Sequence, residues 1–348
     1  MTIYFFLLMI AFLFLFQIAL LFYLVIHKKK RQRYEEEIES QYNHLTESFS
    51  SYIIEPSDVR FLYAIRTIQH QEVVLERLLN GYVAFTKEAN ISPLVKQLSE
   101  EFLTEPYSRI LGQRNWAKRI NILHYIEDFH MTSLSPVLFE RLTAANTLDV
   151  ETQQLIRTLA SLDETKVIKE LGRFPNVSIR LYVDVFNRLH KESTPKEIQS
   201  ALDGPDVTLK YAALVFIGQS GAISFLPAVE KELESSHAET RIQALKTLFR
   251  LEYMSDPDLL VPFFESSIWT ERMFAARIAG ILQFSRYKKI LSTLLGDSVW
   301  WVRYSAAEAF THFSDGDVIL AHLSENHPDR YGRDMAAQWR IYRPGGDN

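Results

Sequence analysis

The chain has 348 residues, with 38 basic and 43 acidic side chains and 47% hydrophobic content, enough apolar material for a sizeable buried core. It has no cysteine, which excludes disulfides, thiolate metal sites and cysteine nucleophiles. A net charge of −5 argues against a nucleic-acid partner, whose phosphates call for a basic surface.

Residues 1–26 carry no charge, and Ile3 to Ile26 are apolar apart from Gln17. As a helix rising about 1.5 Å per residue this stretch exceeds the ~30 Å hydrocarbon core, so a transmembrane anchor is expected. A cleaved signal peptide would begin with basic residues, have a shorter apolar region and end in a small-x-small site, and this segment has none of these. Lys28, Lys29, Lys30, Arg31 and Arg33 follow at once. By the positive-inside rule they predict a single-pass protein of the cell membrane, its amino terminus outside and everything from His27 onward cytoplasmic. The same charges can meet anionic lipid headgroups. Without them the rest of the chain is more acidic than the whole, so the body is expected to stand off the bilayer.

Residues 27–55 join this basic run to a connecting helix. Ile38, Tyr42, Leu45 and Phe49 form a helical stripe expected to pack on the first helices of the body, with a partner helix as the competing reading. Residues 56–112 read as helical, either an end cap or degenerate repeats. They include a helix begun by Ser57-Asp58 with Phe61, Leu62, Ile65 and Ile68 on one face.

A regular pattern occupies residues 113–343. Ser133, Asp163, Thr194, Ser224, Asp256, Ser285 and Asp315, all residues that start helices, recur roughly every thirty positions. Interleaved with them runs a ladder of basic residues, Arg119, Arg180, Lys210, Arg241, Arg272, Arg303 and Arg333, each opening a second helix. Small or apolar side chains follow: Ala213, Leu214 and Ile217; Ala244, Leu245 and Leu248; Ala275, Ala276 and Ala279; Ala306, Ala307 and Phe310. Alanine at these places lets neighbouring helices approach closely, as a stack of helical hairpins requires. No segment has a strand period, so the expected fold is all-α: an α-solenoid preceded by one transmembrane helix. Pro344-Gly345-Gly346 ends the array and leaves a tail at 344–348.

DVTLKYAALVFIG, HAETRIQALKTLFRL and DSVWWVRYSAAEAF resemble the second helix of HEAT repeats, in particular the short bacterial type related to phycobilisome-lyase repeats. The resemblance covers about 113–343 and implies a protein-binding scaffold; its motif residues are structural.

Several positions stand out. Trp116, Trp269 and Trp300 lie three residues before the ladder, at a register that is apolar in every unit, and are expected to be buried in turns. Trp301 sits one residue later, where other units have Ala117, Ser178, Thr208, Glu239 and Thr270, so it is a candidate anchor for a partner, with packing against the terminal unit as the competing reading. The ladder residues, Arg303 among them, are expected to bond turn carbonyls or acidic groups of the next unit, or else to line a groove for acidic ligands. Asp184 and Asn187 can mark a functional break in that groove, against the plainer reading of solvated helix positions. The histidines lack ligand spacing, and no metalloprotease, phosphate-loop or nucleophile-elbow motif occurs. No catalysis, cofactor, metal, nucleic acid or small-molecule substrate is therefore expected. The reading is a membrane-tethered scaffold for membrane-associated proteins. The alternatives are a HEAT-like DNA glycosylase or nucleic-acid binder, and a chromophore lyase.

Overall fold

The structure, a computed structural model, describes residues 2–86 and 92–341. The tail at 344–348 lies outside the described residues. Among these, every regular element is a helix. The chain divides into two compact units, Met1–Glu164 and Thr165–Asn348.

The first unit holds α1 (Thr2–Ile54), α2 (Arg60–Thr67), α3 (Gln71–Thr86), α4 (Pro93–Leu111), α5 (Trp116–Asp128), α6 (Ser135–Ala144) and α7 (Val150–Ser161). No glycine or proline interrupts α1, so it passes from the apolar segment through the basic run without a break and ends just before Pro56. Ile38, Leu45, Phe49 and Tyr52 are buried along one face of it. Phe49 meets Phe61 of α2 edge-on at 5.3 Å and Tyr82 of α3 at 6.3 Å. Arg77 of α3 pairs with Glu39 at 2.7 Å and lies over the Tyr42 ring. The connecting stripe therefore packs on the body.

The second unit is six consecutive hairpins: α8 (Val167–Leu171) with α9 (Ile179–Arg188), α10 (Thr194–Asp203) with α11 (Val207–Ser220), α12 (Leu226–Lys231) with α13 (Ala238–Leu251), α14 (Val261–Phe264) with α15 (Trp269–Ile281), α16 (Lys288–Leu294) with α17 (Trp300–Thr311), and α18 (Gly316–Asn326) with α19 (Arg330–Ile341). The second helices stack in chain order, from α9 on α11 to α17 on α19. The alanines and apolar residues singled out by the ladder are all fully buried between them. Where a threonine occupies this interface, its hydroxyl bridges neighbours. Thr247 Oγ1 donates to the Leu214 carbonyl at 2.8 Å, and Thr158 Oγ1 to that of Leu123 at 3.2 Å in the first unit.

The helix-start markers need correction. Asp256 caps with its side chain, accepting from Asp258 N at 2.9 Å. Asp163 starts nothing: its φ of 62° makes it the left-handed residue that closes α7. His130, Gly221 and Gln283 do the same after α5, α11 and α15, and the N–H of the following residue reaches back five positions in a Schellman turn. Thr194 and Asp315 stand where α10 and α18 begin, whereas α6, α12, α14 and α16 are each entered through a single 3₁₀ turn. The clearer side-chain caps precede the second helices, at Asn115, Asp149, Ser178 and Asp206.

Candidate functional site

The basic ladder forms a repeated device. Nη1 of Arg119, Arg241, Arg272, Arg303 and Arg333 donates to the carbonyl six residues earlier, at 2.6–2.9 Å, tying the turn to the helix it precedes. The opposite edge of the guanidinium faces the next hairpin. Arg119 grips Glu151 with Nε and Nη2 at 2.7 and 2.5 Å, and Arg272 grips Asp297 at 2.7 and 2.9 Å. Arg241 Nε bonds Glu271 at 2.8 Å, and Lys210 Nζ bonds Glu232 at 2.9 Å. Such bidentate, charge-assisted contacts fix geometry as well as charge. Glu271 is only 2% exposed and accepts a second bond from Ser266 Oγ. The Arg119 hydrogen bond, helped by Arg141, holds the Glu151 carboxyl below the usual carboxylate range.

Two members depart from this pattern. Arg180 is exposed and, among the described residues, has no partner. Arg303 keeps its turn carbonyls, but its Nε is buried without a hydrogen-bond partner and its guanidinium lies 5.2 Å above the Tyr331 ring. Glu271 stands one residue before Arg272, and Glu151 one before Thr152, which holds the ladder position between Arg119 and Arg180. In the last unit that place is Gly332, and there a Cβ would stand 2.3 Å from Nδ1 of the buried His327. His327 is itself fixed, with Nε2 3.0 Å from the Ser292 carbonyl. No side chain, and so no carboxylate, fits at that place opposite Arg303.

An aromatic cluster surrounds this end. Trp300 meets Trp301 edge-on at 4.7 Å and Tyr304 at 5.0 Å, and Tyr304 in turn meets Trp339 at 4.9 Å. Trp339 is buried, its Nε1 without a partner among the described residues. Trp300, Trp301 and Tyr331 are 42, 53 and 64% exposed. This corrects the expectation for the three tryptophans before the ladder: Trp116, Trp269 and Trp300 are all well exposed. Each is the first residue of its helix, where the side chain leans toward the open amino-terminal end and away from the stack.

The remaining candidates lie apart from this cluster in the chain. Asp184 pairs with Arg188 at 3.2 Å, and Asn187 Nδ2 donates to the Val183 carbonyl at 2.9 Å, both within α9. Lys28, Lys29, Lys30, Arg31 and Arg33 are exposed along α1, which is long and apolar enough to cross a membrane. Reading by residue type missed Tyr304, Tyr331, Trp339 and the pair Gly332–His327. It also missed Glu151 and Glu271, although their common place one residue before the ladder was a usable signal.

The HEAT-repeat family model matches residues 289–316, nearly the whole of the α16–α17 hairpin. Among curated proteins no sequence matches this chain. Similar solved structures include Escherichia coli YibA, with 14% identity, 74% of this chain and 99% of that one covered, and a TM-score of 0.42. An engineered protein matches with 15% identity, 87 and 94% coverage and a TM-score of 0.40. The complex of CpcE and CpcF of phycocyanin lyase from Nostoc sp. PCC7120 matches with 15% identity, 73 and 97% coverage and a TM-score of 0.27. The matched hairpin recurs on both sides of residues 289–316 with the same arginine-to-turn bond, so the chain carries one HEAT-repeat match within an all-α stack of similar hairpins.

Proposed function

We infer that this protein is a membrane-tethered, non-catalytic scaffold whose hairpin stack docks partner proteins at the cytoplasmic face of the membrane. The observation that carries the docking half is the exposed aromatic face at the start of α17 and α19. Trp300 and Trp301 stand together in solvent just before Arg303, whose guanidinium lies over the exposed Tyr331 ring, and tryptophan, tyrosine and arginine are the residues on which interface energy concentrates. The tether half is supported by the apolar first part of α1 and by the five positive charges on one flank only. An anchor confines the stack to two dimensions and raises its effective concentration toward a membrane-bound partner.

The test is capture from detergent-solubilised membranes with three baits: the native chain, Trp301→Ala and a chain lacking residues 1–33. The native chain is expected in the membrane fraction with a defined partner, Trp301→Ala to lose that partner, and the shortened chain to leave the membrane fraction. An unchanged partner set with Trp301→Ala, or a shortened chain still in the membrane, defeats the corresponding half.

A further inference from the structure

The docking surface has a chemistry more specific than exposed aromatic area. In Arg119 and Arg272 the Nε–Nη2 edge holds a carboxylate of the next hairpin with two bonds, and in Arg241 it holds one through Nε. In Arg303 the turn half of the device is intact, and no acid of this chain meets the same edge among the described residues. The fold enforces this, because His327 fills the space that a side chain at Gly332 would need. The surroundings favour an anion. The last helix carries Arg330, Arg333 and Arg340 against Asp334, with Asp329 bonded to its first turn, in a chain that is acidic overall. Arg330 is exposed and only 4.0 Å from Asp334 at best.

We propose that the face formed by the first turns of α17 and α19 binds an acidic segment of a partner protein. An aspartate or glutamate of that segment takes, on Arg303, the place that Glu151 and Asp297 take on Arg119 and Arg272. A neighbouring apolar side chain packs on Trp300 and Trp301, and the Tyr331 ring swings off the guanidinium to admit the carboxylate. The partner thus supplies the acid that the α18–α19 hairpin does not offer to Arg303. The inference rests on the docking reading and adds the identity of the recognised group.

The test uses the full chain in detergent and a random twelve-residue peptide library displayed on phage. Selected peptides are expected to share an acidic residue next to an aromatic or aliphatic one, and to bind Arg303→Gln and Trp301→Ala at least tenfold more weakly. Trp301→Ala guards against misfolding, since its side chain is exposed, and circular dichroism checks both variants. A pool without acidic enrichment, no selectable binder, or equal binding to Arg303→Gln overturns the proposal. So does binding that appears only when the chain is ended at Ile341, since the chain's own last residues then occupy the edge. If membrane capture still depends on Trp301 while the library shows no acidic preference, the scaffold reading stands and the carboxylate inference alone falls.

Discussion

Gly280 of α15 lies so close to Ala309 of α17 that a Cβ added to the glycine would stand 2.5 Å from the alanine Cα. Both contacting groups are helix backbone, so neither yields by a rotamer change. Gly280→Ala gains roughly 1 kcal/mol of helix propensity but drives the helices apart, at a cost of about 1–3 kcal/mol. A net loss is expected, larger for Gly280→Val, and denaturant unfolding of the full chain in detergent measures it.

Arg241 and Glu271 form a pair in which the acid is almost wholly buried. Arg241→Met leaves that carboxylate without its cation and is expected to cost about 3–5 kcal/mol, whereas Arg241→Met with Glu271→Leu should restore most of the loss. A double-mutant cycle reads the coupling; a loss in the double variant equal to the sum of the two single losses would show that the pair adds nothing.

Glu151 and Glu76 should respond to pH in opposite senses. Arg119 holds the Glu151 carboxyl below its usual value, so its stabilisation is present above the unfolded-state value and is lost as pH falls through the folded one. Glu151→Gln is expected to cost about 2 kcal/mol at pH 7 and progressively less in acid. Burial raises the Glu76 carboxyl, outweighing the bonds from Tyr107 and Tyr125. Its contribution is therefore complete below the unfolded-state value and lost as pH rises through the folded one. Glu76→Gln should stabilise the protein at pH 7, with the gain shrinking toward pH 4. Thermal unfolding across that range checks both signs.

Glu252 closes α13 at φ 49°, where Gly221 closes α11 at φ 68°. A side chain in the left-handed region is strained by its own Cβ, so Glu252→Gly is expected to raise stability by about 1 kcal/mol. A decrease in the unfolding midpoint would show instead that the Glu252 side chain is needed.

The period was legible because the hairpins of Lys210, Arg241, Arg272 and Arg303 bury the same places. Ala244, Leu245 and Leu248 announce the interface as plainly as Ala275, Ala276 and Ala279 do. The first-helix starts were less legible, because a 3₁₀ turn or a left-handed closure takes the place of the cap that Ser224 or Asp163 suggested. The tryptophans misled through a rule that holds inside helices: a position apolar in every unit is buried there, but Trp269 and Trp300 are first residues, where one flank is open. The ladder's acids eluded spacing because they come from different places, one before the ladder at Glu151 and Glu271, six before it at Asp297, and just past the first helix at Glu232. The distinct chemistry of Arg303 depends on Gly332 and His327, which differ from their counterparts by what they leave out.

The unbroken run of α1 has a mechanical consequence. Its 53 residues make a rod about 80 Å long with no swivel. On the membrane-spanning reading, Ile38 lies twelve residues past the apolar stretch, so the first packed helices sit about 18 Å beyond the lipid by length alone. Tilting or twisting the buried part of such a rod must turn the first unit with it, as a key turns its bow.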